Sequence, residues 1–245
     1  MLVGLIGAGN MARALARGWG EPVLAVDGGS GRARVLVEEL GGEALPSVTA
    51  VAERADVLVL ACKPHQLDTV SGELEGFSGD VLSVLGATPL VRLRAALPNA
   101  TVVRTMPNTP VEVRRGVIAV AAEAPPGEQV AALLEKVGDV VLVPEALMDV
   151  ATGASGVTPA YVALIAEAMI EACVKHGLKQ DLAARLVVGA LEGSAALLAA
   201  RGADTLAVRR EVTSPGGSTA RGLAALERGG LRPAFLDALD AVVKP

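Results

Sequence analysis

A short segment near the end of the chain, Ser214-Pro215-Gly216-Gly217-Ser218-Thr219, combines the residue types of an anion-binding turn. Its hydroxyls, its proline-fixed turn and its two glycines offer bare backbone N–H groups at the start of a predicted helix. Such N–H groups bind anions. The same residues also satisfy the free N–H groups of any helix start, so an ordinary N-capped helix is the alternative interpretation.

A second glycine-rich turn, Gly7-Ala8-Gly9-Asn10-Met11-Ala12, lies at the other end of the chain. It follows the apolar run at residues 2–6 and precedes a segment whose Ala and Leu content favours helix. In a strand–turn–helix unit, Gly7 permits the tight turn, Gly9 lets a pyrophosphate approach the backbone, and Ala12 lets the helix pack closely on its strand. The turn therefore predicts dinucleotide binding.

The expected ribose contact is Asp27, which follows a predicted strand at residues 23–26, about 20 residues after the glycine turn. A carboxylate here suits the ribose 2′-hydroxyl of NADH, and the two glycines after it provide no side chain for a 2′-phosphate. Ser30, Arg32 and Arg34 follow a few residues later and are able to reach a phosphate. The sequence therefore favours NADH and leaves NADPH open.

Composition and charge favour an enzyme of the cytoplasm. The chain has 245 residues, 51% of them hydrophobic, with a net charge of −5 and a pI near 5.2. This size allows one or two domains with a large core, and the acidic balance argues against a nucleic-acid partner. The first predicted strand begins at residue 2, which leaves no room for a signal peptide, and no apolar stretch is expected to span a membrane.

The two cysteines, Cys62 and Cys173, are far apart in apolar surroundings, so we predict buried free thiols rather than a disulfide or a metal site. The chain has only two histidines, and no metal site is expected.

The fold class is predicted from the alternation of apolar runs and helical segments over the first 145 residues or so. Near-continuous apolar strands separated by helices indicate a mostly parallel sheet covered on both faces, as in a doubly wound Rossmann-like domain. We therefore expect a dinucleotide-binding domain at residues 1–150 and an all-helical domain at residues 151–245. The predicted strands lie at residues 2–6, 23–26, 56–62, 81–85, 101–105, 117–121 and 140–143, and the longest predicted helices lie at residues 159–176 and 182–200.

The predicted C-terminal helices carry apolar residues around much of their circumference, as residues 182–191 illustrate. A helix that is apolar all round must be buried, and fewer than 100 residues provide little interior. We therefore expect this part to pack against a second copy of itself in a two-fold dimer. The candidate anion-binding turn at residues 214–219 lies in the same part, which is therefore also the expected substrate-binding domain.

Five separated motifs follow one another along nearly the whole chain: Gly7-Ala8-Gly9-Asn10-Met11, Cys62-Lys63-Pro64, Met106-Pro107-Asn108-Thr109-Pro110, Ser155-Gly156-Val157-Thr158-Pro159-Ala160-Tyr161 and Thr213-Ser214-Pro215-Gly216-Gly217-Ser218-Thr219. In these motifs and their order the chain resembles the pyrroline-5-carboxylate reductases. The resemblance implies the last step of proline biosynthesis, the reduction of 1-pyrroline-5-carboxylate to L-proline by NADPH or NADH. It also implies homodimers that can assemble further.

The resemblance places the hydroxyl of Thr219 beside the imine nitrogen of the substrate, as the catalytic contact. Ser214 and the N–H groups of Gly216, Gly217 and Ser218 would hold the carboxylate. An imine that binds already protonated needs little help from a general acid, so we expect the enzyme to act mainly by positioning the substrate. The cofactor contacts expected from the glycine turn and the resemblance are Gly7, Gly9, Asn10, Met11, Asp27, Ala61, Cys62, Lys63, Pro64, Met106 and Asn108.

The match has departures and alternatives. Many members have His-Pro and Asp ahead of the anion motif, where this chain has Asp204-Thr205 and Arg209-Arg210-Glu211. In many members a glycine follows the fifth strand, where this chain has Ala87.

One alternative function is that of another reductase of this architecture, such as a β-hydroxyacid dehydrogenase. Those enzymes depend on a Lys in the helix after a glycine-rich segment, but here the helix after residues 153–156 has no Lys until Lys175. The other is a non-catalytic nucleotide-sensing protein, which would have no use for an intact anion motif.

Overall fold

The computed structural model describes residues 1–243, and the chain divides into two compact units, Met1–Pro159 and Ala160–Pro245. Within the described residues, the strands all lie in the first unit, and the regular elements of the second unit are helices. Each unit is described by itself below.

An eight-stranded sheet forms the centre of the first unit, in the spatial order β3-β2-β1-β4-β5-β6-β7-β8. Neighbours from β3 through β6 pair in parallel, β6 and β7 pair antiparallel, and β7 and β8 pair in parallel. The strand order reverses between β1 and β4, which is where ligands bind in doubly wound sheets. The strands are β1 Val3–Ile6, β2 Val23–Val26, β3 Gly42–Ala44, β4 Val57–Leu60, β5 Asp80–Ser83, β6 Thr101–Pro107, β7 Gly116–Ala121 and β8 Gly138–Val143.

Seven α-helices join these strands and cover the sheet. They are α1 Asn10–Trp19, α2 Arg32–Leu40, α3 Val48–Ala52, α4 Leu67–Glu73, α5 Leu90–Ala96, α6 Glu128–Glu135 and α7 Met148–Ala151. Short 3₁₀ turns occupy Pro64–Gln66, Thr109–Val113 and Glu145–Leu147, and a π-helical turn occupies Thr152–Gly156. The predicted mostly parallel, doubly wound sheet is therefore confirmed.

Strand β4 shows why these strands read as continuous apolar runs. Val57 and Val59 pack into the core on one face of the sheet, and Leu58 and Leu60 pack into the core on the other. All four side chains are buried, because helices cover both faces. Burying each such side chain stabilises the fold by roughly 1.5–3 kcal/mol.

Two short elements, strand β3 and helix α3, are not among those predicted from the sequence. Strand β3, Gly42–Ala44, is three exposed residues at the edge of the sheet, and it lacks the apolar alternation that marks a half-buried strand. Residues 48–52 form the short helix α3, which Ser47 caps by accepting a hydrogen bond from the Ala50 N–H. Neither element has enough regular apolar positions for its type to be predicted.

The second unit contains the greater part of the long apolar helices. On α9, only Ala183 and Val187 are buried among the described residues, while Leu186 and Val188 are about half exposed at 54% and 55%. Tyr161 packs edge-on against Phe235, with ring centroids 6.4 Å apart. The unit therefore presents a large apolar surface. Its helices are α8 Thr158–Lys175, α9 Gln180–Ala200, α10 Thr205–Glu211, α11 Ser218–Arg228 and α12 Leu231–Val243.

Two sequence expectations need correction. The helical segments Glu145–Lys175 and Gln180–Ala200 are long and apolar enough to cross a membrane by length and composition alone, so the expectation that no stretch of this kind exists is wrong. The charged residues of these two segments are few and far apart, so long stretches between them are apolar. Cys62 and Cys173 are free, as predicted, but each is only partly buried.

Ala87, which follows β5, has a φ of 52°, in the left-handed region that favours glycine. Because Ala87 is exposed and has this φ, Ala87→Gly relieves strain without opening a cavity. We expect the free energy of unfolding to rise by up to about 1 kcal/mol, and Tm by about 2–4 °C. Ala95→Gly, in an exposed position of α5, is the matched control and should lower stability by about 1 kcal/mol. Equal effects in thermal melts would contradict this assignment of strain.

Candidate functional site

The glycine turn after β1 brings the chain against the end of β4. Gly7 has a φ of 102°, and a Cβ on it would lie 2.6 Å from the carbonyl carbon and oxygen of Ala61 and 2.7 Å from the Cys62 nitrogen. Only glycine fits this conformation and this close approach. The turn is thereby fixed at the point where the strand order reverses.

Gly9 has the opposite surroundings. It is the N-cap residue of α1, and an added Cβ would meet nothing within 4 Å. No side chain in the described part of the chain caps this helix start, and its first turn contains no acidic residue. Bare N–H groups at a helix start with open space beside them form a cradle that fits a pyrophosphate. Ala12 is fully buried in the core, as expected for close helix–strand packing.

A cleft of about 260 Å³ lies at the carboxyl ends of β1, β2 and β4. Gly7 of the glycine turn lines it, together with residues at the start of α3 and on one face of α4. The cleft therefore occupies the place where an adenosine binds in doubly wound folds. Its lining residues are Ile6, Gly7, Val26, Asp27, Gly28, Pro46, Ser47, Val48, Cys62, Gln66, Thr69, Val70 and Glu73.

Asp27 lines this cleft and is also bound to its own turn. Its carboxylate accepts hydrogen bonds from the Gly29 N–H at 2.9 Å, the Ser30 hydroxyl at 3.1 Å and the Ala33 N–H at 2.7 Å. Burial alone would raise the pKa of this carboxyl, but the hydrogen bonds from Ala33, Ser30 and Gly29 outweigh it and hold the pKa below its ordinary value. Asp27 is therefore ionised at neutral pH.

The segment after β4 forms another edge of the cleft. Cys62 lines it, and burial raises the pKa of its thiol, so the thiol is protonated at neutral pH. Lys63 and Pro64 are exposed, and the Lys63 N–H donates to Oε1 of Gln66 at 2.9 Å. Gln66 thus fixes the turn that follows the strand.

Met106 and Asn108 lie at the end of β6 and just beyond it. Asn108 is buried; its amide oxygen accepts from the Val117 N–H at 2.9 Å, and its amide nitrogen donates to the Ser155 carbonyl at 3.3 Å. The Asn108 side chain therefore holds this loop to β7 and to the π-helical turn. Met106 is partly exposed beside it and packs close to Gly156.

The anion motif lies at the start of α11 in the second unit. Gly216 has a φ of 70°, Gly217 is the N-cap, and no side chain among residues 1–243 caps the helix. A Cβ on Gly217 would lie 2.4 Å from the Ser214 hydroxyl oxygen and 3.2 Å from the Ser214 carbonyl oxygen, so the Ser214 side chain packs closely against this glycine. Ser214 and Thr219 are both exposed.

One of the expected carboxylate donors is used inside the turn. The Gly217 N–H donates to the Ser214 carbonyl at 3.1 Å, which differs from the expectation that it points to the substrate. Helix geometry leaves the N–H groups of Ser218, Thr219 and Ala220 without partners within the helix. Because the Gly217 N–H is used inside the turn, the N–H groups that this helix start can offer a ligand are those of Ser218, Thr219 and Ala220.

Similarity to known proteins decides the family. Residues 145–245 match the family model for pyrroline-5-carboxylate reductase dimerisation, and residues 2–84 match the model described as NADP oxidoreductase, coenzyme F420-dependent. The pyrroline-5-carboxylate reductase of Thermus thermophilus is 35% identical over 256 residues, covering 100% of this chain and 97% of that protein. The chain belongs to the pyrroline-5-carboxylate reductase family. The pyrroline-5-carboxylate reductase of Synechocystis is 38% identical over 205 residues, covering 81% of this chain and 77% of its own length.

Solved structures of pyrroline-5-carboxylate reductases share the fold. The Plasmodium falciparum protein, solved with NADP bound, has a TM-score of 0.86 at 26% identity and covers 100% of this chain and 96% of its own. The Coxiella burnetii protein has a TM-score of 0.84 at 31% identity, covering 98% and 95%. A 3-hydroxyisobutyrate dehydrogenase from Mycobacterium tuberculosis, with a TM-score of 0.52 at 14% identity, shares the fold alone.

Several residues that line the cleft of this pyrroline-5-carboxylate reductase family member were not predicted from the sequence. Gln66, Thr69 and Glu73 line the cleft from the 3₁₀ turn and α4, where no motif marks them. Their spacing of three and four residues places them on one helix face, which is the signal that could have found them. Ser47, a helix cap, lines the cleft from the opposite side.

Proposed function

We propose that this protein is a pyrroline-5-carboxylate reductase that reduces 1-pyrroline-5-carboxylate to L-proline with NADH or NADPH, the last step of proline biosynthesis. The observation that carries this proposal is the 35% identity to the Thermus thermophilus reductase over the entire chain. The five motifs on which the resemblance depends are spread over both units.

The first unit supplies the cofactor site in this proposal. The open N–H groups at the start of α1, with Gly9, Asn10 and Met11, would hold the pyrophosphate, and the cleft beside Asp27 would hold the adenosine. The segment from Ala61 to Pro64 and the loop at Met106 would border the rest of the cofactor, with Asn108 keeping that loop in place. When bound, the reduced nicotinamide supplies the hydride.

The second unit supplies the substrate contacts. The Ser214 hydroxyl and the N–H groups of Gly216, Ser218 and Thr219 would bind the carboxylate, where a helix start favours negative charge. The hydroxyl of Thr219 would hydrogen-bond the ring nitrogen. A cyclic iminium needs only a hydride on carbon to become the amine, so the chain's task is to hold and orient the substrate.

The same proposal includes a homodimer in the cytoplasm. The region matched by the dimerisation model contains the exposed apolar helices, and a second copy would bury them. Glu167, Glu171 and Glu192 lie exposed on these helices, and such charges are costly in a bilayer. We therefore assign the apolar surface to protein contact rather than to lipid. The free thiols agree with a reducing compartment.

A turnover assay on the folded, full-length protein tests the function. With 1-pyrroline-5-carboxylate and either NADH or NADPH, we expect cofactor absorbance to fall as proline accumulates in equal amount, measured by chromatography. A folded sample that makes no proline with either cofactor at saturating concentrations would refute the proposal.

A further inference from the structure

We propose that Asp27 makes this protein selective for NADH, because its carboxylate occupies the hydrogen-bond donors that a 2′-phosphate would need. This inference rests on the proposed function and specifies which of the two cofactors the site takes. It comes from the structure of the turn between β2 and α2, where the cleft meets the start of a nine-residue helix.

The donors of this turn are of the kind that bind phosphate. The Ser30 hydroxyl and the Ala33 N–H donate to Oδ2 of Asp27, the Gly29 N–H donates to Oδ1, and Ala33 lies in the first turn of α2. Backbone N–H groups at a helix start, together with a hydroxyl, form a typical anion site. Here all three donate to the Asp27 carboxylate at 2.7–3.1 Å. The site already contains an anion that belongs to the chain.

The charges that line the cleft also disfavour a further phosphate. Asp27 and Glu73 both line it, and no Lys or Arg of the described residues does. Arg32 and Arg34 are exposed on α2 and do not contribute to the lining. A 2′-phosphate would therefore enter beside carboxylates without a lining cation to compensate.

A ribose 2′-hydroxyl has the opposite relation to this carboxylate. A hydroxyl can donate a hydrogen bond to a lone pair of Asp27 that the turn leaves free, because each carboxylate oxygen has more than one acceptor position. A phosphate oxygen can only compete with Asp27 for the same donors and is repelled by its charge. We expect NADH to bind at least about ten-fold more tightly than NADPH, which corresponds to about 1.4 kcal/mol.

The experiment compares the dissociation constants of NADH and NADPH for the full-length protein by nicotinamide fluorescence, without substrate. Asp27→Ser removes the charge and frees the Gly29 and Ala33 N–H groups. Asp27→Asn removes the charge in the same shape and is the second variant in case the turn needs an acceptor there. Asp56→Ser is the matched control, because Asp56 also accepts a backbone N–H, from Leu2 at 2.6 Å, at the other end of the strands.

We expect wild-type protein and Asp56→Ser to share the NADH preference. In Asp27→Ser and Asp27→Asn, the ratio of the two constants should fall at least about ten-fold, mainly because NADPH binds more tightly. A wild-type preference for NADPH, or a ratio that the folded Asp27 variants leave unchanged, would overturn the inference. Either result is separate from a failure of the proposed function, in which no proline forms with either cofactor.

Discussion

Replacing Arg104 with Met is expected to lower the free energy of unfolding by about 3 kcal/mol, and Tm by roughly 6–12 °C. Arg104 lies on β6, and its side chain is only 5% exposed. Its Nη1 lies 2.5 Å from Oε1 of Glu145, and its Nη2 lies 3.8 Å from Oδ1 of Asp149. Removing the guanidinium leaves the Glu145 carboxylate, which is 24% exposed, without its partner. An unpaired carboxylate in such a place is strongly destabilising.

Two features of the pair make this prediction specific. Oε1 of Glu145 also accepts the Leu90 N–H at 2.7 Å, whereas Oε2 of Glu145 and Nε of Arg104 are buried without a hydrogen-bond partner among residues 1–243. The pair therefore contains unsatisfied polar atoms, and replacing both partners should cost little. Arg104→Met combined with Glu145→Gln keeps the acceptor for Leu90 and should recover most of the lost stability.

The matched control for Arg104→Met is Arg54→Met. Arg54 forms an ion pair with Glu43 at 2.7 Å, but the two side chains are about half exposed. Such surface pairs contribute about 0–1 kcal/mol, so Tm should fall by at most a few degrees. Similar losses at the two positions, or no recovery in the double variant, would show that burial of the Arg104–Glu145 pair does not determine its effect.

The second large effect is expected in the kinetics of the anion motif. A hydrogen bond to a charged group contributes about 1.5–3 kcal/mol, so Ser214→Ala should raise the KM for pyrroline-5-carboxylate roughly ten-fold or more. Thr219→Val keeps the side-chain shape and deletes the hydroxyl, and it should lower kcat by a similar factor if its bond to nitrogen is stronger in the transition state. Steady-state assays at varied substrate separate the two effects.

Cofactor affinity is the internal check on this pair of variants. The proposed contacts of Ser214 and Thr219 are with substrate, so the dissociation constant of NADH should stay within about two-fold of wild type. Thr101→Val makes the same isosteric change on an exposed residue at the amino end of β6 and should leave kcat and KM unchanged. Wild-type kcat and KM in both motif variants would mean that residues 214–219 are only a helix start.

Much of the first unit could be predicted because its signals are local. Strand β4 is buried on both faces, so four consecutive apolar residues mark it, and Gly7 is required by a turn that the strand–turn–helix pattern already indicates. Strand β3 has no such signal, because an exposed three-residue edge strand depends on pairing with β2 rather than on its own residues.

The site was harder to predict in detail, because spacing does not fix hydrogen-bond direction. The spacing along the sequence from the glycine turn identified Asp27 as the ribose contact. The sequence could not show that Gly29, Ser30 and Ala33 all donate to its carboxylate. The composition of the anion motif likewise identified a helix start, but not that the Gly217 N–H is used by the Ser214 carbonyl. Both outcomes depend on backbone torsions that become definite only in the folded turn.

The central claim is that this chain delivers a hydride from the reduced cofactor to the C=N carbon of 1-pyrroline-5-carboxylate. The most direct measurement supplies NADH that carries two deuterium atoms at the nicotinamide C4, so that either face delivers the label, and examines the product by mass spectrometry and NMR. We predict L-proline with one deuterium, located on the ring carbon next to nitrogen that was the imine carbon. Proline without deuterium at that carbon, or no proline from the folded protein with labelled NADH or NADPH, would contradict the claim.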